Sequence, residues 1–379
     1  MDVRGLFEVL YSPVKAFKKI IEKPDFKGVL LILVLVIFSM VAVEYVAASK
    51  FLLETRMPDG DDWTESLLNQ HNWTSNGSPS LDDTDYKMGN TVGNHSVKSL
   101  VSSDTSIWMK ITDIEPLDCS EDTGYKELFF WIKWIHENGS FPDSGATLRL
   151  FSGSESSYFE RSLTNFIASS DEWSNATLKV GPDQGWSSTN SSDWKSVTGL
   201  EFRLFWLDST NPTMKIDGLY FRKYVSPLET GAFSGAIIPI LMSAAVSFSM
   251  NWILWAGILL MVAKVFREEV GPWTVFFVII GHVFIVTGVY MIVSAVSLST
   301  LPVLNLPLAD GSYISSHEIL YPYLAYQVWL YLPLVGEVWI AVLCATAIRL
   351  LRGITWGKAA SISVVAFIIR LILRFFFGV

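Results

Sequence analysis

Charge is scarce in this sequence. Of its 379 residues only 17% are Asp, Glu, Lys or Arg, while 50% are hydrophobic; soluble proteins carry roughly 25% charged residues. That combination excludes an ordinary soluble enzyme. Positive charge is the scarcer sign, with 28 Lys and Arg against 37 Asp and Glu and a formal net charge of -9. Nucleic acid is therefore disfavoured as a partner, because phosphate contacts need a basic surface. Cysteine is almost absent: Cys119 lies in a polar stretch and Cys344 in an apolar one, so no disulfide framework is expected. The five histidines (His71, His95, His136, His282, His317) are scattered, with neither zinc-ligand spacing nor an HExxH pattern. Gly231 to Gly235 reads GAFSG, which lacks the spacing of a nucleophile elbow. A phosphate-binding glycine loop is also missing. No catalytic residue is nominated.

What the sequence does have is long apolar runs. The first, residues 28–48, has the ~20 residues that a hydrocarbon core of about 30 Å requires. It reads as an uncleaved transmembrane helix rather than a signal peptide, since the 27 residues before it are too long and too patterned for a leader. Four further runs, at about 237–266, 273–298, 324–351 and 359–377, bring the expected spans to five. Counted from Gly231 the second run is too long for one span, and Gly231, Gly235, Ala236 and Pro239 suggest an interfacial or kinked entry. The expected organisation is a cytoplasmic amphipathic segment (1–27), a first span (28–48), an extracytoplasmic domain (49–228) and a four-helix membrane region (229–379).

Lysine and arginine in the short flanks set the orientation. Arg4, Lys15, Lys18, Lys19, Lys23 and Lys27 precede the first span; Lys264 and Arg267 follow the second; Arg349, Arg352 and Lys358 follow the fourth. All fall on the cytoplasmic side of a five-span chain in a cell membrane, which leaves the polar block and the carboxyl end outside. The same block carries six N-glycosylation triplets, at Asn72, Asn76, Asn94, Asn138, Asn175 and Asn190, which suits an exported glycoprotein of a eukaryote or an archaeon.

Within the outside block, short segments at 128–135, 147–151, 176–180, 200–206 and 215–222 alternate apolar with polar residues between Gly, Ser, Asn and Asp clusters. That pattern predicts an antiparallel β-sandwich. The segments WKSVTGLEF (Trp194 to Phe202) and MKIDGLYF (Met214 to Phe221) resemble the closing strands of jelly-roll modules of the carbohydrate-binding, galactose-binding-like type. The resemblance implies glycan binding, and it makes Asp217 a candidate oxygen ligand for a structural calcium ion; the plain alternative is an aspartate that opens the turn at Gly218. Nine of the 15 tryptophans fall in this block. Trp131 and Trp206, inside apolar strands, are expected in the core, whereas Trp173 and Trp186, in polar loops, are candidate sugar-stacking residues or loop packing.

Ahead of the first span, SPVKAFKKIIEKP (Ser12 to Pro24) reads as a short helix with Ser at the N-cap, Pro at N1 and an apolar face of Val14, Phe17, Ile20 and Ile21 rimmed by lysines, suited to an anionic leaflet. Together with LFEVLYSPVKAF (Leu6 to Phe17) and Glu22-Lys23-Pro24 before a span, it resembles the prokaryotic branch of the Yip (Ypt- or Rab-interacting) membrane protein family. The resemblance covers residues 1–50 and 235–379 and implies a five-span bundle, from which this chain departs by its long outside insertion. No Rab-binding motif is matched. The ionisable residues Glu44, His282, Glu337, Arg370 and Arg374 lie within the apolar runs. Glu337 and Arg370 both come out near mid-depth, where they can pair. The expected function is a non-enzymatic, Yip-like membrane scaffold of the cell envelope whose outside domain binds envelope glycan or a partner protein. The alternatives are a transporter or channel component using Glu337, Arg370 and His282, and an extracellular glycan-active hydrolase for which Glu127, Glu155, Glu160 and Glu201 are the available carboxylates.

Overall fold

The computed structural model describes residues 3–67, 73–87, 93–120, 124–142, 145–189, 191–269, 271–307 and 313–377. The triplets at Asn72 and Asn190 lie outside the described residues. In chain order, helices α1 (Val3–Tyr11), α2 (Pro13–Glu22) and α3 (Phe26–Lys50) come first. A strand-rich block follows: β1 (Phe51–Met57), a short helix α4 (Asp62–Glu65), β2 (Trp73–Ser75), β3 (Ser80–Asp82), β4 (Ser96–Leu100), β5 (Asp104–Leu117), β6 (Glu127–Ile135), β7 (Gly145–Ser152), β8 (Ser154–Ser162), β9 (Ser174–Lys179), β10 (Ser187–Ser188), β11 (Val197–Thr210) and β12 (Thr213–Val225). The chain then returns to helices α5 (Ala232–Val265), α6 (Trp273–Val283) and α7 (Ile285–Ser299), a short strand β13 (Leu304–Leu306), and helices α8 (Tyr313–Leu320), α9 (Leu324–Arg352) and α10 (Trp356–Phe377). Two units result: a helical one (Met1–Leu52, Ser226–Leu304, Ser316–Val379) and a sandwich (Leu53–Val225, Asn305–Ser315).

Among the described residues of the helical unit, five helices are long and apolar enough to cross a membrane: α3, α5, α6 with α7, α9 and α10. The core between them is built from Val29, Ile32 and Val36 of α3, Trp255 and Leu259 of α5, Phe276 of α6 and Ile340 and Leu343 of α9. Unlike a soluble bundle, these helices also turn large apolar side chains outward, among them Leu30, Phe38, Met261, Val335 and Ile368. α5 is one continuous helix of 34 residues that runs through Pro239, rather than an interfacial entry followed by a span. The proline lies in its third turn, where a missing N–H removes one hydrogen bond while the rest of the ladder continues. The third span has a one-residue break at Phe284, between α6 and α7.

Ser12 and Pro13 stand at the N-cap and N1 of α2, with no side-chain cap bond from the serine. Phe17 and Ile20 of α2 are buried in the helical core, while Val14 of the same face is exposed, so protein covers only part of this amphipathic face. An apolar stripe is equally satisfied by a bilayer or by neighbouring helices. Lys15 and Lys19 approach Glu8 at 3.3 and 2.7 Å.

The sandwich has two sheets. One runs β13-β1-β12-β4-β3, with β6 also pairing β12 and β9 at its far side; the other runs β10-β8-β7-β11-β5-β2. The pairings among β1 to β12 are antiparallel. Alternation along each strand sends Leu128, Phe130, Ile132 and Ile216 from the first sheet, and Met109, Ile111, Leu148 and Phe202 from the second, into one shared core. Phe130 meets Phe202 across it edge to face at 4.9 Å, a geometry that aromatic quadrupoles favour. Both cysteines are buried and free.

Candidate functional site

Three polar constellations stand out, two on the sandwich and one within the helical unit. The first surrounds Asp217. Asp217 stands opposite Trp131 on the outer face of its sheet, just before a β-bulge in β12 between Asp217 and Tyr220 with Gly218 at φ 56°, and it is fully buried there. Its Oδ2 accepts from Lys87 N at 2.6 Å and its Oδ1 from Gly218 N at 2.7 Å. Beside it lies Asp61, whose Oδ1 accepts from Thr64 Oγ1 and whose buried Oδ2 meets no donor among the described residues. Burial, reinforced by the neighbouring Asp217 charge, pushes Asp61 up to about 8; burial likewise pushes Asp217 up to about 6. Among the described residues these two desolvated carboxyls have no basic partner, and they form an oxygen-only donor set of the kind a hard cation takes. The fit is partial. Among the described residues no group of three or more His, Cys, Asp or Glu is poised around one point, so backbone carbonyls or water would complete such a shell.

The second constellation is on the outward face of the β10-β8-β7-β11-β5-β2 sheet. Register places Glu201 of β11 opposite Lys110 of β5 on one side and Arg149 of β7 on the other, with Arg149 opposite Glu160 of β8. Directly opposed residues share a face, so four strands contribute a single transverse row of alternating charge. Glu201 is 3% exposed, with Arg203 Nε at 2.9 Å and Arg149 Nη1 at 3.8 Å. Arg149 also holds Glu160 at 2.5 Å, and Lys110 holds Glu155 at 2.6 Å. Aromatic rings flank the row: Arg149 lies over Tyr158 at 4.4 Å and Lys110 over Trp108 at 5.5 Å. Sequence reasoning named three of its carboxylates, Glu155, Glu160 and Glu201, as those available to a hydrolase, but not the charged face they form with Lys110, Arg149 and Arg203. Its only local sign is charge between apolar neighbours, as in Leu148-Arg149-Leu150 and Glu201-Phe202-Arg203.

The nominated tryptophans are not brought together. Trp173 donates Nε1 to Asp85 Oδ1 at 2.9 Å. Asp85 also meets Lys215 at 2.6 Å and Lys133 at 3.0 Å; these bonds outweigh burial and hold its carboxyl at about 2. Trp186 donates to Lys179 O at 2.8 Å and packs edge-on against Trp194, which stacks on Phe159. Trp206 is in the core as expected from its strand, but Trp131 is only half-buried, on the outward face, with Lys87 Nζ 4.6 Å from its ring. A strand buries alternate residues, and Phe130 and Ile132 take the inward places. Of the glycosylation triplets, Asn94, Asn138 and Asn175 are exposed. Asn76 is not free: Nδ2 donates to Ser106 O at 2.9 Å and Oδ1 accepts from Trp108 N at 2.9 Å.

In the helical unit, Arg370 of α10 donates Nε to Glu337 Oε2 at 2.9 Å and Nη2 to Glu337 Oε1 at 2.8 Å. This bidentate pair is buried, and Arg370 also lies over the Trp255 ring at 5.4 Å. His282 sits elsewhere, bonded through Nδ1 to Val278 O at 2.8 Å and packed on Gly28 of α3. Glu44 is exposed on α3.

No protein-family model and no curated protein matches the chain. Among solved structures it is similar to an exo-β-agarase (13% identity, TM-score 0.32, 44% of this chain and 24% of that one). It is also similar to the family 11 carbohydrate-binding module of the cellulosomal cellulase Lic26A-Cel5E of Clostridium thermocellum (13% identity, TM-score 0.27, 44% of this chain and 93% of the module). The family 30 carbohydrate-binding module of the cellulosomal cellulase Cel9D-Cel44B of Clostridium thermocellum matches at 17% identity and TM-score 0.27, over 41% of this chain and 89% of the module. The matched region thus spans about a quarter of the agarase.

Proposed function

We propose that this chain is a non-enzymatic integral membrane protein of the cell envelope: a Yip-like helical bundle that carries a glycan-binding, jelly-roll-like β-sandwich outside the cytoplasm. Glycan binding rests on the charged and aromatic row centred on Glu201. Three cations (Lys110, Arg149, Arg203) stand against three carboxylates (Glu155, Glu160, Glu201), so the face is electrically balanced and suits an uncharged polyol. Forked guanidinium and carboxylate groups bond adjacent hydroxyls, while Trp108 and Tyr158 offer flanking surfaces for sugar C–H faces. Membrane insertion rests on the outward apolar side chains of all five long helices, a surface that water does not tolerate. The same proposal includes a structural cation, calcium by its oxygen donors, between Asp61 and Asp217.

The full chain in detergent micelles, applied to an array of neutral polysaccharides, tests the binding face. Wild type is expected to be retained on at least one glycan. Trp108→Ala and Tyr158→Ala should each weaken retention by roughly two- to tenfold, as loss of about 0.5–1.5 kcal/mol of ring contact implies. Trp173→Ala and Trp186→Ala should leave it intact. Absence of retention on every glycan overturns the reading.

A further inference from the structure

The Glu337 and Arg370 pair borders a cavity of about 410 Å3 between α5, α7, α9 and α10, whose polar lining is Ser247, Asn251, Tyr290, Glu337, Arg370 and Arg374. A smaller space of about 70 Å3, lined by several of the same residues, reaches Val36 and Met40 of α3. Four helices of otherwise apolar sequence thus line one polar chamber, and α3 reaches the smaller space beside it. That placement is costly in hydrocarbon and marks a site.

Its charge is not balanced from within. Arg370 and Arg374, one helical turn apart on α10, both border the chamber, and Glu337 compensates only the first. Arg374 forms no ion pair among the described residues and is exposed. The chamber therefore carries one net positive charge. Its other polar members are donors as well: the hydroxyls of Ser247 and Tyr290 and the amide of Asn251. Such a lining accepts an anion rich in acceptor oxygens, and a monoanion matches its single net positive charge.

We propose that this chamber binds a monoanionic phosphodiester, with the phosphate bridging Arg374 and the guanidinium edge of Arg370 not used by Glu337, and with Asn251 and Tyr290 as further donors. Its volume admits a phosphate with part of a glycerol. The inference rests on the reading of the long helices as membrane spans. The shared chemistry has two sources, a phospholipid headgroup and a soluble glycerophosphodiester.

The test uses the full chain purified in an uncharged detergent and offered equal amounts of phosphatidylglycerol and a neutral galactosyl diacylglycerol, with bound species weighed by native mass spectrometry. Phosphatidylglycerol is expected to be retained roughly tenfold over the neutral lipid, the preference that about 1.4 kcal/mol of charge-assisted bonding gives. Arg374→Gln, at an exposed position, should fold normally and lose that preference, whereas Arg374→Lys should keep part of it. Asn251→Trp, which fills the chamber, should lower uptake. Equal retention of the two lipids by wild type, or an unchanged preference in Arg374→Gln, overturns the proposal. Competition by soluble glycerophosphoglycerol supports the site and assigns recognition to the phosphate alone; failure of that diester to compete, with the preference for phosphatidylglycerol intact, supports it with a lipid as the ligand. Release of the chain from membranes by alkaline carbonate would sink the spanning reading separately, without reference to any anion.

Discussion

At the scale of single residues, the strongest energetic statement concerns Glu337. Its carboxylate is the bidentate acceptor for a buried guanidinium, so Glu337→Gln leaves Arg370 charged and uncompensated. Breaking a buried pair from one side costs about 3–5 kcal/mol, whereas replacing both members with apolar residues is close to neutral. Thermal unfolding in detergent should therefore show a large loss for Glu337→Gln and a much smaller one for the Glu337→Leu, Arg370→Leu double variant; equal losses would mean that the pair does not act as a unit. Asp61 and Asp217 give a second test. In the native sandwich they hold protons up to about 8 and about 6, whereas the unfolded chain releases them near 3.8. Between those values the native state binds more protons, so stability without metal falls as pH rises from about 4 to 8. The unfolding midpoint of the sandwich in chelator is expected to drop by on the order of 10 °C between pH 5 and pH 8; calcium should restore it at pH 8, and Asp217→Asn should abolish the calcium effect while only lessening the pH dependence, because burial still holds Asp61 up. A calcium-insensitive midpoint at pH 8 would leave the two carboxyls as a plain buried pair. Glu337 and Arg370 can be read as partners from sequence, because counting along two antiparallel helices puts both near mid-depth. Asp61 cannot: its place beside Asp217 depends on a bulge and a contact between residues 156 positions apart, neither of which leaves a local pattern.

At the scale of elements, period and length carried the reading. Five apolar runs coincide with five helices, the form in which ~20 consecutive apolar residues satisfy their backbone within the segment itself. Boundaries and breaks were less legible. The proline in α5 does not end it, and the break at Phe284 lies in a stretch without proline. The strands were legible from alternation, but their partners were not, since register comes from long-range pairing: Glu201 stands between Lys110 and Arg149, which are 91 and 52 residues away. Helix packing leaves one sharp signature. A Cβ on Gly281 of α6 would lie 2.7 Å from Val29 Cγ1 of α3, so the two backbones are in close approach there, as small residues allow in membrane bundles. Gly281→Leu is accordingly expected to lower the unfolding midpoint of the helical unit by more than Gly257→Leu does, because nothing lies within 4 Å of a Cβ at Gly257. Overpacking of this kind costs about 1–3 kcal/mol. Equal effects would show that α3 and α6 yield without strain.

At the scale of the whole molecule, the low charged fraction is a property of the helices and the net negative charge a property of the strand-rich block, and that division predicts sidedness. Basic residues flank the helices at Lys15 to Lys27, Lys264 to Arg267 and Arg349 to Lys358, and positive flanks are retained in the cytoplasm. If the five helices span as proposed, the block between α3 and α5 and the segment between α7 and α9 would share the opposite side. In sealed cells, an added protease should reach residues 53–225 while the loop at 266–272 stays protected until the membrane is opened. Glycan occupancy gives an independent reading in a host that modifies exported asparagines. Asn94, Asn138 and Asn175 are exposed and should be occupied, whereas Asn76 should remain bare in the folded protein because its amide already bonds Ser106 O and a sugar on Nδ2 would have to break that contact. Modification of Asn76 alone would imply that transfer precedes folding of β5, and protection of the whole block from external protease would reverse the orientation and remove envelope glycan as the ligand.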